Sequence, residues 1–375
     1  MTERELREIK RRFRPEKSNI PKIVGCFVNC NKEIVYRISQ SLGMSDPLVS
    51  EKLLSTMKKT LSGSLGTNLT DVSFSTKDVS EGTEHKLLMK LRESKLGDSE
   101  ALENFYKKAI EGIKLEGNYV ILLASDVYDV PKRSADGLGE DSFTQFSYMI
   151  VAVCPLKQPV EALAFRESDQ SFHYAEAAAQ LSSPELGFMF PAFDDRAANI
   201  YNALFYTKNL AASHEEFTSR VFGKSAPTPP KAQKESFGDL LHDTLGEECD
   251  LNVIKSIHTQ VEELIVSHKE SGDPEPLSLN KNTVSTMLRG CGIGEDKVEK
   301  FGEAMDECFG KNAEIPPKNV ISHNKFELKM PEVSIKVSPD CKDLVTTETR
   351  GEEKYILIKV TGGVELNGIR MSSEE

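Results

Sequence analysis

The chain has 375 residues, 38% of them hydrophobic and 28% charged, and a formal charge of −12. Such a length accommodates two or three units with cores of their own. No run approaches the roughly 18 consecutive apolar residues of a membrane span, and MTERELREIKRRFR lacks the apolar centre of a signal peptide, so the expectation is a cytoplasmic protein with no membrane partner. The charge argues against an evenly basic nucleic-acid coat, but the acid is concentrated. Residues 1–223 hold 28 Lys and Arg against 31 Asp and Glu, whereas residues 232–314 hold 8 against 18.

In chain order, Thr2 with Glu5 three residues on reads as a capping box, and Leu6, Ile9 and Phe13 form a narrow apolar stripe that Pro15 ends. The remaining faces carry Arg4, Arg7, Lys10, Arg11, Arg12 and Arg14, which makes a short basic amphipathic helix suited to phosphate or to an acidic partner. Its plainer reading is a solvated helix docked by three apolar side chains. KIVGCFVN at 22–29 predicts a strand, and DPLVSEKLLSTMKKTLSG predicts a helix with Ser45 or Asp46 as N-cap, Pro47 in the first turn and Gly63 at its end. Residues 69–75 and 85–92 read as strands about a turn at Glu81-Gly82, and 98–113 as a helix.

NYVILLASDVYDV at 118–130 and FSYMIVAVCPL at 146–156 have the near-continuous apolar character of strands covered on both faces. The polar loop between them suits an antiparallel return. A further strand is expected near 160–166, then GFMFPAF, then a helix beginning at Asp194 and Asp195 and running through RAANIYNALFYTKN. GKSAPTPPKAQK reads as a linker, the next 80 residues as helices, and FELKM, VSIKV, DLVTTET, YILIKV and VELNGIRM as short strands of period two. The expected fold class is α+β. A mixed, mostly antiparallel sheet domain with flanking helices occupies 1–222, followed by the linker at 223–234, an acidic helical segment at 235–314 and a small C-terminal β unit at 315–375.

Chemistry-bearing motifs are sparse. The seven cysteines (Cys26, Cys30, Cys154, Cys249, Cys291, Cys308 and Cys341) have no disulfide or zinc spacing and read as reduced thiols. The histidines form no ligand pair, there is no Gly-x-Ser-x-Gly elbow, and KKTLSGSLGTN is not a phosphate loop because no Gly-Lys-Ser/Thr follows its glycines. The residues suited to metal or acid/base work are Asp126 and Asp129 on a central strand, Asp136, Glu140 and Asp141 in the loop after it, and Asp194 and Asp195. Structural caps and turns are the plainer reading of these carboxylates. No metal site and no cofactor is expected.

Together, KRRFRPEK, GCFV, KKTLSGSLGTNL, GNYVILLASDVYDVP, FMFPAFDDRAANIYNALFYTKN and LGEECD resemble an uncharacterised bacterial family, domain-of-unknown-function family 4317. The resemblance spans nearly the whole chain and implies no activity. In layout only, the sequence is also similar to the 37 kDa nucleoid-associated proteins: a mixed sheet, a helix of the type AFDDRAANIYNAL after the last strand, an acidic helical segment and a terminal β unit. The first functional expectation is therefore a non-catalytic binding protein, nucleoid-associated in type, whose Arg4, Lys10, Arg11, Arg12, Arg14, Lys58 and Lys59 approach nucleic-acid phosphates. The alternatives are a metal-dependent phosphoester or nucleotide enzyme built on Asp126, Asp129, Asp194 and Asp195, and a protein interaction module working through the acidic helices.

Overall fold

The structure, a computed structural model, describes residues 1–131, 143–157, 162–175, 178–271, 275–311, 313–321, 326–330, 332–351, 353–360, 364–366 and 369–371. Asp136, Glu140 and Asp141 lie outside the described residues. The chain divides into two compact units, Met1–Pro229 and Pro230–Glu375.

In the first unit the elements run α1 (Glu3–Lys10), β1 (Lys22–Val28), β2 (Ile34–Ser41), α2 (Pro47–Lys58), β3 (Leu69–Ser73), α3 (Thr76–Glu81), α4 (Thr83–Glu93), α5 (Ser99–Gly112), β4 (Tyr119–Pro131), β5 (Phe143–Lys157), β6 (Ala162–Arg166), β7 (Ser171–Ala175), β8 (Gln180–Leu181), β9 (Leu186–Phe190), β10 (Ala192–Asp194), β11 (Ala197–Asn199), β12 (Asn202–Thr207) and α6 (Glu215–Phe222). The main sheet has the order β2-β1-β4-β5-β9-β12-β3, with β8 beside one end of β5. All its pairings are antiparallel. The fold class is thus α+β, and the sheet is more uniformly antiparallel than the sequence implied.

Strand period sorts the core into two layers, because successive side chains point to opposite faces. Tyr119, Ile121 and Leu123 of β4 join Met149, Val151 and Val153 of β5 against Leu88 and Leu91 of α4, Phe105 and Ala109 of α5 and Phe217 of α6. Val120, Leu122 and Ala124 join Ile150, Ala152 and Cys154 against Leu6 and Ile9 of α1, Phe13, and Leu54 and Met57 of α2. Helices therefore cover both faces of an antiparallel sheet. This explains why β4 and β5 lack the in/out alternation of a half-solvated antiparallel strand.

The capping box forms as the sequence reads. Thr2 Oγ1 accepts from the Glu5 amide at 3.3 Å, and the Glu5 carboxylate accepts from the Thr2 amide at 2.7 Å. Two expectations fail. Residues 85–92 are helical, within α4, not a strand: His85, Leu87, Leu88 and Leu91 are buried at spacings of three and four. The contiguous Leu-Leu-Met run masks that period. Likewise no helix starts at Asp194 and Asp195. β10 and β11 form a hairpin whose turn residues Asp195 (φ 48°) and Arg196 (φ 59°) are both left-handed, the conformation of a type I′ turn. The chain then continues as β12, buried along its whole length between β9 and β3. A strand buried on both faces has no alternation to betray it. β2 was not anticipated at all; it is an edge strand exposed over much of its length.

Gly187 of β9 stands where the neighbouring backbone comes close. A Cβ there would collide with the Val151 carbonyl oxygen and lie 2.8 Å from Thr60 Cγ2. Gly187→Ala is expected to cost about 3 kcal/mol, the upper end for an overpacked core. A loss under about 1 kcal/mol in urea unfolding contradicts that close approach.

The second unit contains α7 (Pro230–Leu245), α8 (Leu251–Ser271), α9 (Lys281–Gly290) and α10 (Glu295–Phe309), so α7 takes up the last part of the segment read as linker. Leu241, Leu245, Ile257, Val261, Val284, Leu288, Val298 and Phe301 form their shared core. Among the described residues three two-stranded hairpins follow: β13 (Phe326–Lys329) with β14 (Ser334–Val337), β15 (Val345–Arg350) with β16 (Glu353–Ile358), and β17 (Val364–Leu366) with β18 (Ile369–Met371). Lys255 of α8 donates to the Val345 carbonyl, and Lys342 pairs with Glu262 at 2.7 Å. Among the described residues no helix is long and apolar enough to cross a membrane.

Candidate functional site

Asp126 shares the strand parity of Leu122 and Ala124, so its side chain points into the layer beneath α1. There it meets Arg12. The guanidinium donates twice, Nε to Oδ2 at 3.0 Å and Nη2 to Oδ1 at 3.3 Å, and Tyr148, opposite Asp126 on β5, donates its hydroxyl to Oδ2 at 3.0 Å. The Asp126 side chain has no exposed surface, and that of Arg12 is 14% exposed. Burial works against the Arg12 charge, but the hydrogen bonds and attraction to Asp126 raise its pKa overall. Burial and the adjacent carboxylate hold the Tyr148 hydroxyl protonated, well above its ordinary pKa.

The network continues along α1. Arg12 lies over the Tyr128 ring, 5.1 Å from its centroid, and the Tyr128 hydroxyl donates to Glu8 at 2.5 Å. Burial, then the Glu8 hydrogen bond, push the Tyr128 pKa up to about 12. Arg196, from the β10–β11 turn, reaches Glu8 at 2.5 Å and the Pro131 carbonyl at 3.0 Å, while its amide donates to Glu5 at 3.1 Å. The polar side of α1 is thus bound to the sheet by buried, mutually neutralising charges. Arg196, Glu8 and Tyr128 belong to this site, and no local pattern singled them out.

The other aspartates have separate partners. Asp129 accepts from Gln145 at 3.4 Å, Asp194 accepts from Asn199 at 2.8 Å and pairs with the Met1 amino group, and Asp195 is exposed on its turn. Among the described residues no group of three or more His, Cys, Asp or Glu could hold a metal ion.

Lys58 lies within electrostatic reach of Lys10. Each occupies the last turn of its helix, where the negative end of the backbone dipole favours a cation. α2 packs against the 3₁₀ turn Arg11–Phe13 that continues α1. Both lysines are half-buried. Burial lowers the Lys10 pKa; Glu3 opposes this and the Lys58 charge adds to it. Arg4, Arg11 and Arg14 are exposed on the same stretch, and Lys59 donates to Ser183 at 3.0 Å.

A cleft of about 1020 Å³ lies elsewhere in this unit, between the end of α5 and α6. Its cations are paired: Lys108 with Glu84 at 3.0 Å, Lys114 with Glu216 at 2.7 Å, and Arg220 with Glu111 at 3.3 Å. Cys26 and Cys154 are buried thiols whose pKa burial pushes up to about 12, the reverse of an activated nucleophile.

His85 is 2% exposed, edge-on to Phe74 and Phe190, and its Nε2 donates to the Ile200 carbonyl at 2.9 Å. Burial lowers its pKa below the ordinary 6.5 despite that bond. The unfolded chain therefore binds this proton first, so its contribution is full above about pH 6.5 and is lost as the pH falls through the folded value. Thermal melts from about pH 7 to pH 5 should show falling stability, with a shallower slope in His85→Leu. Some slope will remain, because burial lowers the His214 pKa as well. Identical slopes in the two proteins would exclude His85 as a source.

Fold and site together define a class: an antiparallel sheet layered between helices, joined to a helical unit, with an N-terminal helix and the basic turn after it locked by charge to one face. Within that class the chain belongs to the family described as Domain of unknown function (DUF4317), which matches residues 1–369. No curated protein and no solved structure matches it. The likeness in layout to the nucleoid-associated proteins gains no support from these comparisons, and it loses one of its features, since the segment AFDDRAANIYNAL is a β-hairpin leading into a strand.

Proposed function

We propose that the protein is a non-catalytic binding protein that takes a phosphate-rich polyanion, such as nucleic acid, on the surface formed by α1 and α2. The observation that carries this reading is the placement of half-buried Lys10 and Lys58 at the ends of α1 and α2, where the 3₁₀ turn after α1 packs on α2. Burial and the Lys58 charge disfavour the Lys10 ammonium, Glu3 offsets part of this, and a bound phosphate would favour both charged lysines. Arg4, Arg11 and Arg14 extend the positive surface, while Arg12 is turned inward to Asp126. The −12 total does not count against the reading, because the acid is concentrated in residues 232–314.

The aspartate-based enzyme is the weaker reading, since Arg12 and Tyr148 already engage the Asp126 carboxylate. Fluorescence anisotropy with a labelled oligonucleotide at two salt concentrations tests the proposal. Affinity should fall steeply with salt, as counterion release demands. Absence of binding even at low salt sinks it.

A further inference from the structure

β2 ends the main sheet on one side. The Leu42 amide donates to the Pro21 carbonyl at 3.0 Å, and antiparallel pairs alternate between bonded and non-bonded. Tyr36, Ile38 and Gln40 therefore bond to β1, while Arg37 and Ser39 point their N–H and C=O groups away from it. Among the described residues nothing bonds to those outward groups. The strand at the other edge, β3, is buried at Leu69, Thr70 and Val72. Edge strands are ordinarily blunted by proline, by free charge or by being very short. β2 has eight residues and no proline, its irregularity is a bulge near Val28, and its one charge, Arg37, is tied to Glu103 at 2.5 Å.

α5 runs antiparallel alongside this edge: Arg37 reaches Glu103, while Lys32, five residues earlier, donates to the carbonyl of Glu111, eight residues later, at 3.4 Å. Between strand and helix lies a groove of about 700 Å³ with Ile34 and Ile110 among its walls. From Glu100 to Glu111 it follows about 16 Å of helix, room for about five extended residues. Successive side chains of an added strand would point to opposite faces. One set would lie over the groove, on the face of Cys26 and Arg37. The other would lie beside Tyr36, which is 66% exposed on the Phe27 face, its ring 6.0 Å from that of Phe27.

We propose that β2 takes an extended segment of a partner protein as an added strand, with apolar side chains toward Ile34 and Ile110 on one face and toward Tyr36 on the other, and an acidic residue in the groove. The outward backbone groups call for a polypeptide, since they offer donors and acceptors at the repeat of about 7 Å that a strand matches; side-chain seats on alternate faces then supply the selectivity. Charge selects the acid. Glu103 is paired with Arg37 and Glu111 with Arg220, at 2.5 and 3.3 Å, so the groove sets Lys32 and Lys107, bonded to no carboxylate among the described residues, against Glu100 alone. A second copy is the poorer occupant, because the strand it would bring to this edge, its own β2, carries Arg37 and no acid.

Selection from a displayed random decapeptide library on the immobilised full chain, followed by fluorescence anisotropy with the enriched peptide, tests this. Enriched peptides should carry apolar residues in a strand-like pattern together with an acid. Bound peptide should slow hydrogen exchange at the Arg37 and Ser39 amides, which exchange freely without it. Ser39→Pro removes an outward donor from an edge strand, where proline is tolerated, and should weaken binding at least about tenfold with unchanged circular dichroism. Lys107→Glu, exposed on α5, should also weaken it about tenfold, by reversing charge in the groove. Failure to enrich such sequences, wild-type affinity in either variant, or Arg37 and Ser39 amides already protected in the free chain would each overturn the proposal. So would a concentration-dependent dimer in sedimentation velocity that Ser39→Pro dissolves, which places a second copy on the edge.

Discussion

Arg12→Ala should lower the stability of the first unit by about 3–5 kcal/mol, the usual cost of removing one partner from a buried ion pair. The variant strands a carboxylate with no exposed surface, leaving it only the Tyr148 hydroxyl as a donor. Arg12→Lys should recover part of the loss, because an ammonium keeps the charge but cannot span both carboxylate oxygens. Tyr148→Phe should cost less, about 1–2 kcal/mol, since Arg12 still neutralises Asp126. Exchanging both charged residues, Arg12→Met/Asp126→Leu, should be milder than Arg12→Ala, because no charge is left buried. The chain has no tryptophan, and eight of its nine tyrosines lie in residues 1–229, so tyrosine fluorescence during urea unfolding reports on this unit. A loss under about 1 kcal/mol for Arg12→Ala rules out the buried pair as the lock on α1.

Lys10→Glu/Lys58→Glu should abolish polyanion binding or weaken it by at least about 100-fold near 0.1 M salt. Each phosphate contact contributes about 0.9 to the slope of log affinity against log salt, so two contacts are worth roughly two orders of magnitude there, and reversal adds repulsion. The neutral pair Lys10→Gln/Lys58→Gln should reduce the slope by about 2 and leave the fold intact. Lys114→Gln, in the charge-paired cleft, should change neither affinity nor slope. Arg12→Ala should bind normally below its melting transition, since Arg12 acts through the fold. Wild-type affinity in the doubly reversed protein removes this surface from the reading.

Both experiments turn on a distinction that periodicity cannot make. The capping box, the stripe of Leu6, Ile9 and Phe13, and the amphipathic run of α5 are local, and the sequence shows them in place. The two central strands were equally legible, because long apolar runs bounded by polar loops have few other solutions. Residues 194–207 were not. Two acids ahead of an alanine-rich stretch imitate a helix start, yet β12 gains pairings on both sides, with β3 and β9, and the hairpin at Asp195 and Arg196 delivers it there. For α4 the error ran the other way, toward strand, because three consecutive apolar residues conceal a spacing of three and four.

By itself, then, the sequence determined the α+β class, the first helix with its cap, the central strands and the concentration of net negative charge in residues 232–314. Only the tertiary structure decided which charges remain available. Arg12 and Asp126 are 114 residues apart and were assigned to different chemistries, one to phosphate and one to metal, yet they neutralise each other beneath α1. Lys10 and Lys58, 48 positions apart, are brought within electrostatic reach of each other. Coulomb interaction depends on distance in space and on burial, and both are set by how the helices pack on the sheet.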